Sequence, residues 1–238
     1  MAIGRPQLSE SGLLLIDKPR GITSFGVVSR LRKLTGVRRI GHAGTLDPFA
    51  EGLLPLCIGR ATAAVQFMDS YDKTYRLEIR FGRATDTQDL TGETRETHVL
   101  TEAEQAGLAD SDYAVVREAV AGMTGEQQQL PPMFSAIKIA GRPLYDYARQ
   151  GREIERNSRN VRIDEADIEQ ISLDGGVLTA TLRVTCSKGT YMRTLADDLG
   201  RSLGFYAHAT GLVRLQCGPF SLEQAVTLDY LNNISAAC

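Results

Sequence analysis

Tyr75-Arg76-Leu77-Glu78-Ile79-Arg80-Phe81 decides the fold class. Apolar residues at 75, 77, 79 and 81 alternate with charged ones at 76, 78 and 80, the two-residue period of a strand buried on one face and wet on the other. Upstream, Leu13 to Ile16 is a short apolar run closed by Lys18-Pro19-Arg20-Gly21, which predicts a strand ending in a turn. Thr23 or Ser24 then caps a helix with Phe25, Val28, Leu31 and Leu34 on one face, stopped by Gly36. Gly41 to Pro48 is rich in turn formers and predicts a loop, and Ala61 to Met68 a short helix. Downstream, Thr101 to Gly122 predicts two helices, Phe134 to Ile139 a strand, and two stretches between Val161 and Cys186 two more. Tyr191 to Leu203 has helical period, Val213 to Leu215 predicts a last strand, and Ser221 caps a final short helix. Strands do not alternate regularly with helices, which argues against a doubly wound parallel sheet. The expected class is α+β: a mixed, mostly antiparallel central sheet flanked by helices. No repeat or long linker interrupts the 238 residues, so one domain is expected over 1–238.

Composition narrows the function classes. Hydrophobic residues are 42% and charged residues 24%, so the chain can bury a core and disorder is not expected. No apolar run reaches the ~20 residues that span a bilayer. The first twelve residues lack the apolar segment of a secretion signal. Cys57, Cys186, Cys217 and Cys238 show no metal-ligand spacing and suit reduced thiols of a cytoplasmic protein. The net charge of −2 hides a segregation. Lys18 to Leu46 carries seven Lys or Arg and no acid, and Lys138 to Arg162 seven against three acids. Ala84 to Glu126 is the reverse, ten acids against two arginines. Such clustering can place a basic face on a near-neutral protein, the footprint of phosphate binding, and serves equally as solvated helix and loop faces.

Three clusters can carry chemistry. In Gly41-His42-Ala43-Gly44-Thr45-Leu46-Asp47-Pro48, the glycines allow a tight bend and Pro48 biases Asp47 toward extended backbone. A carboxylate at the mouth of a cleft is one outcome; spacing alone favours a turn in which Asp47 bonds its own backbone. Cys186-Ser187-Lys188-Gly189-Thr190-Tyr191-Met192-Arg193 lies at a strand-to-helix junction, where N–H groups can bind an anion or simply be capped. It lacks the glycine pattern of a phosphate loop. In Asp72-Lys73-Thr74-Tyr75, the tyrosine is either core or a flat platform for a base.

The run from Gly41 through Asp47 to Gly52-Leu53-Leu54-Pro55 resembles the signature of the bacterial tRNA pseudouridine-55 synthase family, TruB. Leu14-Leu15-Ile16-Asp17-Lys18-Pro19 is similar to its Lys-Pro motif and Lys73-Thr74-Tyr75 to its tyrosine motif. Pro131 to Lys138 and Cys186 to Gly200 match two further segments in order, so the resemblance covers about Gly12 to Leu228. It departs at Ala63, where the family usually has Lys, and at Cys238, before the RNA-binding PUA domain usual in the family.

The resemblance implies the pseudouridine synthase fold and isomerisation of uridine-55 in the tRNA T loop, with base flipping and no cofactor or metal. It makes Asp47 the catalytic carboxylate, Arg193 its ion-pair partner, and Tyr75 the stacking face under the flipped base, near the departing proton. Tyr191 and Leu212 line the pocket, and His42 braces the space the base leaves. Lys18 and Lys138 are further substrate-binding candidates, and the basic stretches supply backbone contacts. The implied partner is the T-stem loop of tRNA, met by a monomer without an obligatory protein partner. A non-catalytic tRNA-binding or folding module and a sister synthase on another RNA share these features. A glycosidase wants a second flanking carboxylate, and none suggests itself near Asp47.

Overall fold

The structure, a computed structural model, describes residues 11–237. Residues 1–10 and 238 lie outside the described residues, and with them most of the N-terminal segment read above and the Cys238 thiol. The chain begins with β1 (Gly12–Lys18) and α1 (Ser24–Thr35). The Thr23 hydroxyl caps α1 by accepting from Gly26 N–H, and Gly36 closes it. The buried face is Ser24, Val27, Val28 and Leu31. Of the predicted stripe, Val28 and Leu31 are buried and Leu34 packs against the same core. Phe25 alone falls outside it, 61% exposed with the Arg32 guanidinium over its ring, while Ser24 turns inward through two hydrogen bonds described below.

β2 (Ile40–His42) takes the start of the predicted 41–48 loop into the sheet, ahead of β3 (Glu51–Ile58). The helix expected over 61–68 divides into a 3-10 turn (Gly59–Ala64) and α2 (Val65–Met68). β4 (Lys73–Phe81) has the predicted alternation, with Leu77, Ile79 and Phe81 buried and Arg76, Glu78 and Arg80 exposed. The hairpin of β5 (Arg83–Thr85) and β6 (Thr94–Thr97) leads to the two predicted helices, α3 (Glu102–Asp110) and α4 (Ala114–Ala121). A capping box between Thr101 and Glu104 opens α3. Then come β7 (Gly125–Gln129), β8 (Lys138–Ile139), β9 (Arg142–Pro143) and α5 (Leu144–Ala148).

Of the strand predicted over 134–139, only the last two residues form one. The carbonyls before them have other partners: Phe134 O accepts from Arg193, Ser135 O from Tyr145 N–H and Ile137 O from Leu144 N–H. β10 (Arg159–Asp174) and β11 (Val177–Cys186) are the two predicted strands, paired as a long hairpin and followed by α6 (Met192–Ser202). β12 (Ala207–Cys217) is much longer than the predicted 213–215. After β13 (Phe220–Ser221), Ser221 caps a single 3-10 turn, and the last helix, α7 (Leu228–Ala237), starts beyond β14 (Val226–Thr227).

The described chain divides into two units. The first holds the residues up to Tyr75 and those from Leu212 onward; the second is Arg76–Gly211. In the first unit the strands run β14-β1-β3-β12, with β2 also on β3 and β13 on β12. The β1–β14 and β3–β12 pairs are parallel; β1–β3, β2–β3 and β12–β13 are antiparallel. Its core joins Ile16, Leu54 and Leu56 of the sheet to Val27, Val28 and Leu31 of α1 and Leu228 of α7. Gly52 sits at φ 96°, and a Cβ there would stand 2.5 Å from the Arg214 carbonyl oxygen, so β3 and β12 approach this closely only over glycine. In the second unit the strands run β4-β11-β10-β7. The β10–β11 and β10–β7 pairs are antiparallel, and α4 packs against β10 and α6. Mixed pairing with an antiparallel majority is the class the sequence predicts. Cys57, Cys186 and Cys217 are buried thiols. No described helix is long and apolar enough to cross a membrane.

Candidate active site

In the first unit, nearly every residue from Ala43 to Ala50 is held through its backbone. Ala43 N–H donates to Pro55 O at 2.9 Å, and Gly44 N–H to Asp69 Oδ1 at 2.8 Å. The buried Ser24 hydroxyl accepts from Leu46 N–H at 2.8 Å and donates to Leu46 O at 3.1 Å. Gly21 N–H reaches Pro48 O at 2.7 Å, and Arg20 Nε reaches Phe49 O at 3.0 Å. Asp47 lies inside this frame, half-buried, and its own carbonyl closes a turn by accepting from Ala50 N–H at 3.1 Å. A turn is therefore present, as spacing alone allowed, and the carbonyl closes it.

The strongest brace is one the sequence did not reveal. Arg214 of β12 is fully buried; its Nε donates to Leu53 O at 2.7 Å and its Nη2 to Gly44 O at 3.1 Å. Gly44 has φ 71°, and a Cβ there would press on Arg214 Nη1 at 3.0 Å. The one available signal was the alternation of β12: Arg214 falls on the same side as the apolar Leu212. Lys18 is also fully buried, with Nζ donating to Pro19 O at 3.0 Å and Ile22 O at 2.8 Å. It thus braces the 19–22 turn whose Gly21 holds Pro48. Burial lowers its pKa to about 8, with Arg214 adding to the fall and Glu51 and Asp47 opposing it.

His42 ends β2 with a buried Nδ1 that has no hydrogen-bond partner. Burial, then the Arg214 charge, pull its pKa below the ordinary histidine value and favour the neutral ring, while Asp69 opposes them. Tyr75 and Leu212 are buried residues of β4 and β12. Lys73, in the motif before Tyr75, donates to Asp69 O at 2.8 Å and Tyr71 O at 2.6 Å.

In the second unit, Arg193 stands in the first turn of α6, buried. Its Nη1 donates to Thr87 O and its Nη2 to Phe134 O, both at 2.7 Å, and Nε lies 3.7 Å from Asp89 Oδ2. Asp89 is buried too; its Oδ1 accepts from Thr91 Oγ1 at 2.6 Å, Thr87 Oγ1 at 2.8 Å and Thr91 N–H at 2.9 Å. These donors hold the carboxyl group in place beside the guanidinium. Tyr191 is fixed by the buried Gln129, which accepts from its N–H at 2.7 Å and donates to its carbonyl at 3.0 Å. Ser187 N–H donates to Arg162 O. Two N–H groups of the 186–193 junction are thus occupied, and it is a capped junction more than an anion loop. Asp89 and Gln129 were both missed, since nothing near them in sequence marks a partner about 60 to 100 residues away.

Lys138 is exposed on β8. Beyond it Arg142 and Arg152 lie over the Tyr147 ring at 5.1 and 5.5 Å, and Arg149 lies over Tyr145 at 5.3 Å. These form an exposed surface of guanidinium and aromatic planes, the combination that stacks on bases and meets phosphates. Arg30, Lys33, Arg38 and Arg39 are exposed in the first unit. Among the described residues, no three His, Cys, Asp or Glu side chains are grouped to hold a metal ion.

Residues 32–192 match the model of the TruB family pseudouridylate synthase N-terminal domain, and residues 193–237 match that of the tRNA pseudouridylate synthase B C-terminal domain. The chain belongs to the TruB family. Among TruB relatives, tRNA pseudouridine synthase B of Bordetella pertussis is 45% identical over 227 residues, 95% of this chain and 89% of that one. The Bacillus subtilis enzyme of the same name is 43% identical, over 93% of this chain and 70% of that one. Of solved structures, a chain of a Cbf5–Nop10–Gar1 complex matches with TM-score 0.67 at 27% identity, and one of an archaeal box H/ACA Nop10–Cbf5 complex with 0.64 at 26%. These matches cover 92% and 94% of this TruB chain but 52% and 53% of those solved, so it spans about half their length.

Proposed function

We propose that this protein isomerises uridine-55 in the T loop of tRNA to pseudouridine. The observation that carries the proposal is 45% identity, across 95% of the chain, to a relative named tRNA pseudouridine synthase B. Both units are parts of one catalytic domain in this reading, because a single family match, over residues 32–192, includes residues of each. The protein acts in the cytoplasm, as a monomer and without a protein partner.

The reaction breaks the bond between uracil N1 and ribose C1′, turns the base, and rejoins it through C5, whose proton then leaves. Asp47 is the catalytic carboxylate, and the backbone frame around it fits a group that must not move as the base turns. The family resemblance assigns Arg193 as its partner, beside the Asp89 contact described above. The target base is stacked in a folded loop, so it is extruded first, at a cost of a few kcal/mol offset by binding. Tyr75 supplies a flat face that tolerates a rotating ring, Tyr191 and Leu212 supply walls, and His42, kept neutral, takes up the space the base leaves. Lys138 and the exposed arginines of both basic stretches meet the RNA backbone. Lys18, which was a further substrate-binding candidate, acts instead through the 19–22 turn, since its buried ammonium is bound to two carbonyls.

Carbodiimide mapping of an unmodified tRNA transcript after incubation with the protein tests the proposal. The expected result is one new adduct, at uridine-55. Adducts at other uridines alone would make this a synthase for another site, and a bound but unmodified tRNA would make it a binding or folding module.

A further inference from the structure

Gln88 stands between the two residues that hold Arg193. On one side Thr87 gives its carbonyl to the guanidinium, and on the other Asp89 gives its carboxylate. Gln88 itself has φ 62°, in the left-handed region that a long side chain rarely adopts. Strain of this kind persists only where surrounding bonds enforce it, and four bonds do so, the first being from Gln88 N–H to Thr85 O at 3.1 Å. Thr194 Oγ1 donates to Gln88 Oε1 at 2.9 Å, Gln88 Nε2 donates to Asp197 Oδ2 at 3.3 Å, and Ala209 N–H donates to Gln88 O at 3.1 Å. Thr194 directly follows Arg193 on α6 and Asp197 lies one turn on; both are buried. Arg201 Nε, at 2.8 Å from the same Asp197 oxygen, keeps that carboxylate turned toward the amide. One side chain therefore links the corner that receives the guanidinium to the helix that carries it.

We infer that Gln88 is a positioning residue for Arg193. Its left-handed backbone aims the Thr87 carbonyl and the Asp89 carboxylate at one point, and its amide holds that point at a fixed distance from α6. In an extended backbone the peptide planes flanking residue 88 would turn, and the carbonyl and carboxylate could not converge. The inference rests on the proposed part of Arg193 in the reaction.

The test compares the parent with Gln88→Gly, Gln88→Ala and Arg193→Lys. Glycine relieves the backbone strain and removes the amide; alanine removes the amide and keeps the strain. The glycine variant is expected to melt higher than the alanine variant. Both are expected to lose about ten- to a hundredfold in kcat on a T-arm hairpin, the scale of an ångström of misplacement, with KM within about twofold of the parent. The Arg193 Nε–H resonance, slow to exchange with water in the parent, should exchange faster in both. A glycine variant with parental kcat and parental exchange, or a kcat loss that follows melting temperature alone, would reduce Gln88 to a stabilising contact. An inactive parent, or an Arg193→Lys with the parental rate, would remove the reaction reading instead. The exchange measurement then decides, with unchanged exchange in Gln88→Gly overturning the inference.

Discussion

The Asp47 loop and the Arg193 cradle hold their functional groups in opposite ways. Around Asp47 the protein grips the backbone: Ser24, Asp69 and Arg214 side chains and the Gly21 N–H fasten its neighbours. Around Arg193 it grips the side chain, with two carbonyls and a carboxylate on the guanidinium. A short carboxylate has two side-chain torsions, so fixing the chain goes far toward fixing the group. A long arginine has four, so only contacts at its far end can place it. The loop should therefore be sensitive to side-chain length, and the cradle to the shape of the charged head.

The largest effect should come from length. Asp47→Glu keeps the charge but pushes it about one methylene out of a loop that cannot shift to compensate. Single-turnover rates on a T-arm hairpin should fall about a hundredfold or more; a near-parental rate would mean that the loop is not rigid. Head shape comes next. Arg193→Lys keeps a charge but cannot serve three acceptors as a fork does. The loss of one charged hydrogen bond at roughly 2 kcal/mol predicts about a thirtyfold slower reaction. Equal damage from both substitutions would erase the distinction. Loosening the grip on the loop should cost less: Ser24→Ala leaves Leu46 N–H buried without its partner. About 1–3 kcal/mol of stability should go, read as a lower urea midpoint at unchanged m-value, with about a tenfold slower reaction.

The smallest effect concerns Lys18 and pH. Its folded pKa, about 8, lies below that of an unfolded lysine. Between about pH 8 and 10.5 the unfolded chain holds the proton that the folded one has released, so stability from this group rises with pH. The slope is at most about 1.4 kcal/mol per pH unit. Lys18→Met should flatten that rise in urea titrations, and an unchanged rise would place its origin elsewhere.

Much of this was legible in sequence, for physical reasons that differ by element. The alternation of Tyr75 to Phe81 has only one common structural cause, and the cap at Thr23 acts within a single turn. Local rules therefore read them correctly. The Phe134 to Ile139 segment misled because its apolar content suits a strand while its carbonyls are taken by Arg193 and the start of α5. Phe25 misled because a hydroxyl, Ser24, outcompeted it for the interior. Asp47, Tyr75 and Arg193 were singled out through ordered resemblance and not through spacing. Arg214, Asp89 and Gln129 were not singled out, since a buried charge or amide whose partner is distant in the chain looks, in sequence, like any surface residue.

The central claim is that Asp47 carries the isomerisation of a tRNA uridine. The most direct measurement is tritium release from a T-arm hairpin labelled at C5 of uridine, by the parent and by Asp47→Asn, with hairpin binding measured alongside. The account predicts release by the parent and a loss of about a thousandfold or more in the variant, about 4 kcal/mol of barrier, with binding kept. Release by Asp47→Asn at the parental rate would contradict it.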